Sequence, residues 1–321
     1  MTVTDITSTR ETIMRVFVTG ASGWIGSGLL RELLDNGHEA VGLARSDAGA
    51  ARVEATGATA LRADLGDLDS LARAAAASDG VVHLAFPHDV AFGGDFAAAG
   101  QSDRRAVETL GRALAGSDRP FVLASGVAGL TVGRTATEND GLVPDATTRA
   151  NPAGARAATA LLALSLRGVG VRSSVVRYAP TVHGDGDHGF VATLVGVARR
   201  HGVAAYVGDG ANRWPAVHRD DAARLTRLAV ESAPAGSVLH AIGEQGVAFR
   251  QIAETIGRHL GIQAVSIGPQ QAVEHFGFLG HFVGTDTPTS SSITRELLGW
   301  EPGGPGLVED LERGHYFDGS R

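Results

Sequence analysis

The chain has 321 residues, 43% of them apolar and 44 of them glycine, the composition of a globular protein with many turns rather than of a disordered or fibrous one. Its 28 Lys and Arg face 35 Asp and Glu, a net charge of −7, which argues against nucleic acid as a partner. The absence of cysteine removes disulfides, thiolate nucleophiles and cysteine metal sites, and no apolar run approaches the ~20 residues of a membrane helix.

Residues 1–13 are polar and lack the apolar core of a secretory signal. They read as an N-terminal extension, with Met14 directly before the first strand as a candidate start, and a cytoplasmic location is expected. Residues 16–18 form an apolar run that breaks into Gly20-x-x-Gly23-x-x-Gly26, followed by Leu29, Leu30, Leu33 and Leu34 at helical spacing. Strand, glycine turn and amphipathic helix in that order are the context in which a glycine triplet binds a dinucleotide. The first glycine permits the tight turn, the second the approach of a pyrophosphate, and the third the packing of helix on strand. The helix N-terminus then offers N–H groups and a favourable dipole to the phosphates. The contacts expected here come from Gly20, Ser22, Gly23, Trp24, Ile25 and Gly26.

Residues 39–44 read as the second strand. It ends before Arg45 and Ser46 rather than at an acidic residue. An acidic side chain there would bind the ribose 2′-hydroxyl, whereas an arginine suits a 2′-phosphate. Arg45 and Ser46 therefore point to NADP, with NAD as the second choice. Ser46 or Asp47 also serves to cap the next helix. A short strand over 59–62 leads to Asp64 and Leu65, placed to meet the adenine, although Asp64 at this point also suits a helix start. The strand over 80–85 runs into Ala85, Phe86 and His88, expected beside cofactor and substrate, with a surface role for His88 left open. A helix spans about 96–114, and the strand over 121–124 ends at Ser125.

Beyond a turn-rich stretch over 126–150, a helix is expected from about 152 to 167 and a strand over 171–178. The regular alternation implies parallel strands with right-handed crossovers and a ligand at their carboxyl ends. Residues 181–189 read as a loop, and helices follow over 190–201 and after Asp221. Short elements are expected over 238–241, 249–260, 265–267 and 289–298. His183, Asp185, Asp187 and His188 include metal-ligating residue types, but on a glycine loop they fit turn chemistry better, so no metal is expected.

These residues resemble the short-chain dehydrogenase/reductase superfamily in its extended, epimerase-like branch. The resemblance rests on Thr19-Gly-Ala-Ser-Gly-Trp-Ile-Gly26, Asp64-Leu65, Val82-His-Leu-Ala85, Arg177-Tyr-Ala-Pro-Thr-Val-His-Gly184, Val217-His-Arg-Asp-Asp-Ala222 and Arg295-Glu-Leu-Leu-Gly-Trp-Glu-Pro302. It implies a doubly wound Rossmann α/β fold over residues 14–180. The C-terminal lobe over 181–321 is implied to be small, mixed α/β and mainly substrate-binding, with some segments returning to the first domain. The superfamily's acid/base is a Tyr four residues before a Lys at the head of the helix expected from 152. Here the Lys position falls on Arg156 and the Tyr position on Pro152. The only tyrosines are Tyr178, Tyr206 and Tyr316, none of them in that helix.

The resemblance places Ser125 near the serine that polarises the substrate oxygen, with Gly126 competing for the strict position and a turn role for Ser125 equally open. Arg156 remains a candidate for holding the nicotinamide ribose. His183, where the family often has Tyr, is the leading candidate for proton donor; a substrate hydrogen bond or a contact with Asp185 or Asp187 competes, and His88 and a bound water are rival donors. Arg213 falls where epimerases bind a substrate phosphate, and Trp214 beside it is a candidate for the substrate pocket or for the core. The function expected is NADP-dependent reduction of a small or medium apolar carbonyl, or of an imine. The alternatives are an NADP-binding redox sensor without turnover and, third, an epimerase- or dehydratase-like enzyme. The expected partner is a small-molecule substrate, with homodimerisation left open.

Overall fold

A computed structural model describes residues 13–141 and 154–318. Seven strands, β1 (Arg15–Thr19), β2 (Glu39–Ala44), β3 (Thr59–Arg62), β4 (Gly80–His83), β5 (Pro120–Gly126), β6 (Arg172–Tyr178) and, from far along the chain, β10 (Ser237–Ala241), form one sheet. Its order is β10-β6-β5-β4-β1-β2-β3, and every pairing is parallel. This is a Rossmann sheet. The order reverses between β1 and β4, which opens a crevice at their carboxyl ends.

The helices fall on two faces because both faces of each strand are apolar. In β1, Val16 and Val18 point into one core and Phe17 into the other. On the first face lie α1 (Trp24–Asp35) and α2 (Asp47–Glu54). On the second lie α3 (Leu68–Ala76), the short α4 (His88–Phe92), which packs on the following helix, α5 (Phe96–Leu114) and α6 (Gly154–Ser165). Helix α1 buries Leu29, Leu30 and Leu33 and stops at Asn36, where Gly37 turns with φ +81°. Asp67 caps α3 by accepting from the Ser70 N–H, so Asp64 does not start that helix. Asp64 instead closes a small turn by accepting from the Gly66 N–H at 2.7 Å.

The rest of the chain builds a second core from α7 (Phe190–His201), β8 (Val203–Val207), α9 (Phe249–Leu260) and β12 (Gln263–Ile267), with β8 and β12 paired in parallel. Between the cores lies a three-stranded sheet of β7 (Thr181–His183), β9 (Arg213–His218) and β11 (Glu244–Ala248). Helix α8 (Arg219–Ser232) returns to pack along α1 on the first face. The stretch expected to be a loop over 181–189 therefore begins as a strand. Three residues are too few for an apolar alternation to register, and β7 exists because β9 pairs with it. The chain closes with α10 (Ala272–Phe276), α11 (Ser292–Leu298) and α12 (Leu307–Glu312). Among the described residues no helix is long and apolar enough to cross a membrane.

Candidate active site

The glycine turn is shaped by contacts that leave no room for a side chain. Gly20 has φ +67°, and a Cβ there would meet the Ala85 nitrogen at 2.8 Å. A Cβ on Gly26 would lie 2.2 Å from the Gly20 carbonyl oxygen, and that same oxygen accepts from the Gly23 N–H at 3.0 Å. Gly23 is the N-cap of α1 and supplies no side-chain cap, and the first turn carries no acidic residue, so the helix N-terminus keeps its N–H groups and dipole for a ligand in the crevice. Ile25 packs into the first core. The Trp24 indole N–H donates to the Val182 carbonyl at 2.7 Å, and the Arg219 guanidinium lies 4.4 Å from its ring centre. The turn is thereby tied to β7 and to the start of α8.

At the end of β2, Ser46 caps α2 by accepting from Gly49 N–H at 3.1 Å, and a Cβ on Gly49 would come 3.4 Å from Ser22 Oγ. Arg45 is exposed and pairs with Asp89 at 2.8 Å. Asp64 is exposed at the end of β3, and Leu65 leans on the core beneath the sheet's second face, among Phe17 and Leu71.

The opposite wall of the crevice is Ala85 and Phe86. It is held by a buried polar chain that the sequence reading missed. The Ala85 N–H donates to Thr19 Oγ1 at 3.2 Å, Thr19 Oγ1 meets His83 Nδ1 at 2.7 Å, and His83 Nε2 meets Asp103 Oδ1 at 3.1 Å. Sequence offers one signal, a histidine at an otherwise apolar strand end, and nothing to match it with a carboxylate 20 residues on.

Beyond Phe86, the predicted residues converge. The Arg156 guanidinium sits 4.2 Å from the centre of the Phe86 ring and donates to the Ala124 carbonyl at 2.9 Å, one residue before Ser125, which is half-buried. His88 meets the Phe86 ring edge-on at 5.1 Å. Burial lowers the Arg156 pKa, with Asp103 the charge that opposes it. Desolvation against its neighbours, and then the Arg156 charge, lower the pKa of His88 below its ordinary 6.5. A permanent cation, a hydroxyl and a neutral imidazole thus stand at the edge of the crevice. Pro152 lies outside the described residues.

Three other predicted residues lie elsewhere. His183 has no exposed surface. Its Nδ1 bonds Asp310 Oδ2 at 3.0 Å and its ring packs edge-on against His218. Burial works to raise Asp310, but His183 and His315 outweigh it and hold the carboxyl low. Asp187 accepts from the Gly189 N–H and the Tyr316 hydroxyl, and His188 meets the Trp24 ring. Arg213 makes a two-pronged pair with Asp286 at 3.0 and 2.9 Å. Trp214 is 2% exposed and packs on Phe249 within the second core.

Residues 16–242 match the family model described as the NAD dependent epimerase/dehydratase family. An uncharacterized protein of Schizosaccharomyces pombe is 44% identical over 304 residues, covering 95% of this chain and 100% of that protein. Among solved structures, the fold is similar to UDP-glucose 4-epimerase of Thermotoga maritima with UDP-glucose (TM-score 0.75, 22% identity, 95% of this chain and 98% of that one). It is equally similar to DesIV, a dTDP-glucose 4,6-dehydratase of Streptomyces venezuelae with NAD bound (TM-score 0.75, 23% identity, 94% and 96%).

These matches correct two expectations. NADP gives way to NAD, the cofactor in the family's description and in the DesIV structure. The physical reason lies at Arg45: Asp89 already neutralises its guanidinium and would repel a 2′-phosphate. Reduction of an apolar carbonyl gives way to the epimerase or dehydratase type, the third of the readings drawn from the sequence.

Proposed function

The chain belongs to the NAD-dependent epimerase/dehydratase family, and we propose from that premise that it is an NAD-linked enzyme acting on a nucleoside-diphosphate hexose. The observation that carries the reading is the crevice between β1 and β4, where Gly20 and Gly26 leave no space for a Cβ and the N-terminus of α1 is uncapped by any side chain. That is the shape and charge a dinucleotide pyrophosphate requires. Gly20 to Gly26 would hold the pyrophosphate, Ser46 the adenosine ribose, and Asp64 with Leu65 the adenine. Bound NAD supplies reversible hydride transfer. The nucleotide-sugar class is supported by the UDP-glucose in the T. maritima structure and by the dTDP-glucose in the name of the S. venezuelae enzyme.

The chain's own residues would do the rest through an unusual set. Ser125 would hydrogen-bond the reacting hydroxyl of the sugar. Arg156, standing where the superfamily has lysine, would fix the substrate edge of the crevice and favour negative charge on that oxygen. Since Arg does not give up its proton, the proton would pass to His88, which its depressed pKa keeps neutral at pH 7. We assign residues 14–180 to cofactor binding and 181–321 mainly to the substrate, with β10 returning to the first sheet.

The test is incubation of the purified protein and NAD with UDP- and dTDP-hexoses, followed by separation of the sugar products. A new epimer or dehydrated keto sugar without net NADH is expected. No change in any sugar alongside measurable NAD binding would overturn the reading in favour of a protein that binds without turnover.

A further inference from the structure

The polar chain beneath the crevice wall assigns a role to two residues that do not reach the crevice. Thr19 and His83 stand opposite each other in register at the ends of β1 and β4, the two strands between which the sheet order reverses. Both are buried to 1% exposure or less, and Asp103 on α5 to 3%. The bonding pattern has one consistent direction. The Asp103 carboxylate can only accept, so the ring proton of His83 belongs on Nε2; Nδ1 then accepts from Thr19 Oγ1, which itself accepts from the Ala85 N–H. Each group in the chain is thereby satisfied, and removing one strands the next in a site that water does not reach.

The far end of the chain is the backbone of Ala85, the atom against which Gly20 packs without room for a Cβ. The Leu84 N–H bonds the Thr19 carbonyl as well, at 3.3 Å. The separation of the glycine turn from the Ala85–Phe86 wall is therefore set at Thr19, and Thr19 is held by His83 and Asp103. Phe86 in turn carries the Arg156 guanidinium, so the same chain sets where that cation stands.

We propose that His83 and Asp103 are positioning residues for the dinucleotide: acting through Thr19, they fix the width of the crevice without touching the cofactor. The inference rests on the reading of the crevice as an NAD site. It differs from a general packing role because it depends on hydrogen-bond direction rather than volume.

The experiment measures NAD affinity, by titration calorimetry on the full chain, for two disruptive and two conservative variants. Thr19→Val breaks the chain at similar volume and Asp103→Leu with the same branched shape, and each should weaken NAD binding by ~10-fold or more. Thr19→Ser and Asp103→Asn keep an acceptor in place and should bind within about 3-fold of wild type. The double variant Thr19→Val/Asp103→Leu should bind no more weakly than the worse single one, because both break the same chain. Equal affinity in all variants, or equal loss in conservative and disruptive ones, would overturn the inference while NAD binding by the wild type stands. A wild type that takes up no NAD would overturn the functional reading itself. Should the disruptive variants fail to fold, the nitrogen chemical shifts of His83 in the wild-type protein decide. A proton on Nε2 with Nδ1 bare is expected, and a neutral ring protonated on Nδ1 contradicts the chain.

Discussion

The two halves of the crevice are built on different physics. The wall from Gly20 to Gly26 is made of backbone, and its shape follows from what cannot fit: a Cβ 2.8 Å from the Ala85 nitrogen, another 2.2 Å from the Gly20 oxygen. The edge at Phe86, Ser125, His88 and Arg156 is made of side chains from β5, the stretch after β4 and α6, brought together by the sheet order. Steric exclusion tolerates no substitute, whereas a cation or a proton carrier can be supplied by more than one residue type. The first wall keeps the glycine triplet, while at the second the sequence resemblance puts Arg156 where the superfamily has lysine.

The contrast is sharpest if the backbone wall is broken first. Gly26→Val should abolish NAD binding, with a loss of about 100-fold or more, because its side chain enters the turn itself and overpacking there also destabilises the fold by ~1–3 kcal/mol. Fluorescence titration of the tryptophans with NAD, beside a thermal unfolding curve, measures both. On the side-chain edge, Arg156→Ala should leave NAD affinity within a few-fold and lower turnover by ~10²-fold, measured as initial rates on a responsive sugar nucleotide. His88→Gln should cost ~10-fold to 10²-fold and change the pH profile. With the neutral imidazole as the proposed base and its pKa lowered from 6.5, the wild-type rate should hold at pH 7 and fall in acid below 6.5. The variant should lose that acid limb.

Away from both walls, His183→Ala should destabilise the protein by ~1–3 kcal/mol, since it leaves Asp310 Oδ2 buried and unpaired, with His315 bonded only to Oδ1, and should leave the turnover of folded protein largely intact. Chemical denaturation and active-site-normalised rates separate the two effects. The smallest change is expected at Arg45. Arg45→Ala should move NAD affinity by less than ~2-fold, because its pair with Asp89 is exposed, whereas Asp89→Ala should improve NADP relative to NAD by freeing the guanidinium.

What was legible in the sequence follows the same division. The glycine turn, the bounds of β2, β3, α5, α7 and α9, and the doubly wound sheet could be read because each has a local signature: glycine spacing, apolar runs, or helical periodicity between turns. Arg45 misled because its partner Asp89 is 44 positions away. His183 drew attention because it falls where the family often has Tyr, but it is buried and bonded to Asp310, 127 residues on. Trp214 and Arg213, adjacent in sequence, part company on β9, where alternation sends one into the core and the other to Asp286. The chain from Thr19 to Asp103 had one local signal, the histidine at the end of an apolar strand, because its members are joined only through the pairing of β1 with β4 and the packing of α5.

Parallel titrations of NAD and NADP into the purified protein test the central claim most directly. The account predicts saturable NAD binding in the micromolar range and NADP binding weaker by ~10-fold or more. Tighter binding of NADP, or binding of neither dinucleotide, would contradict it.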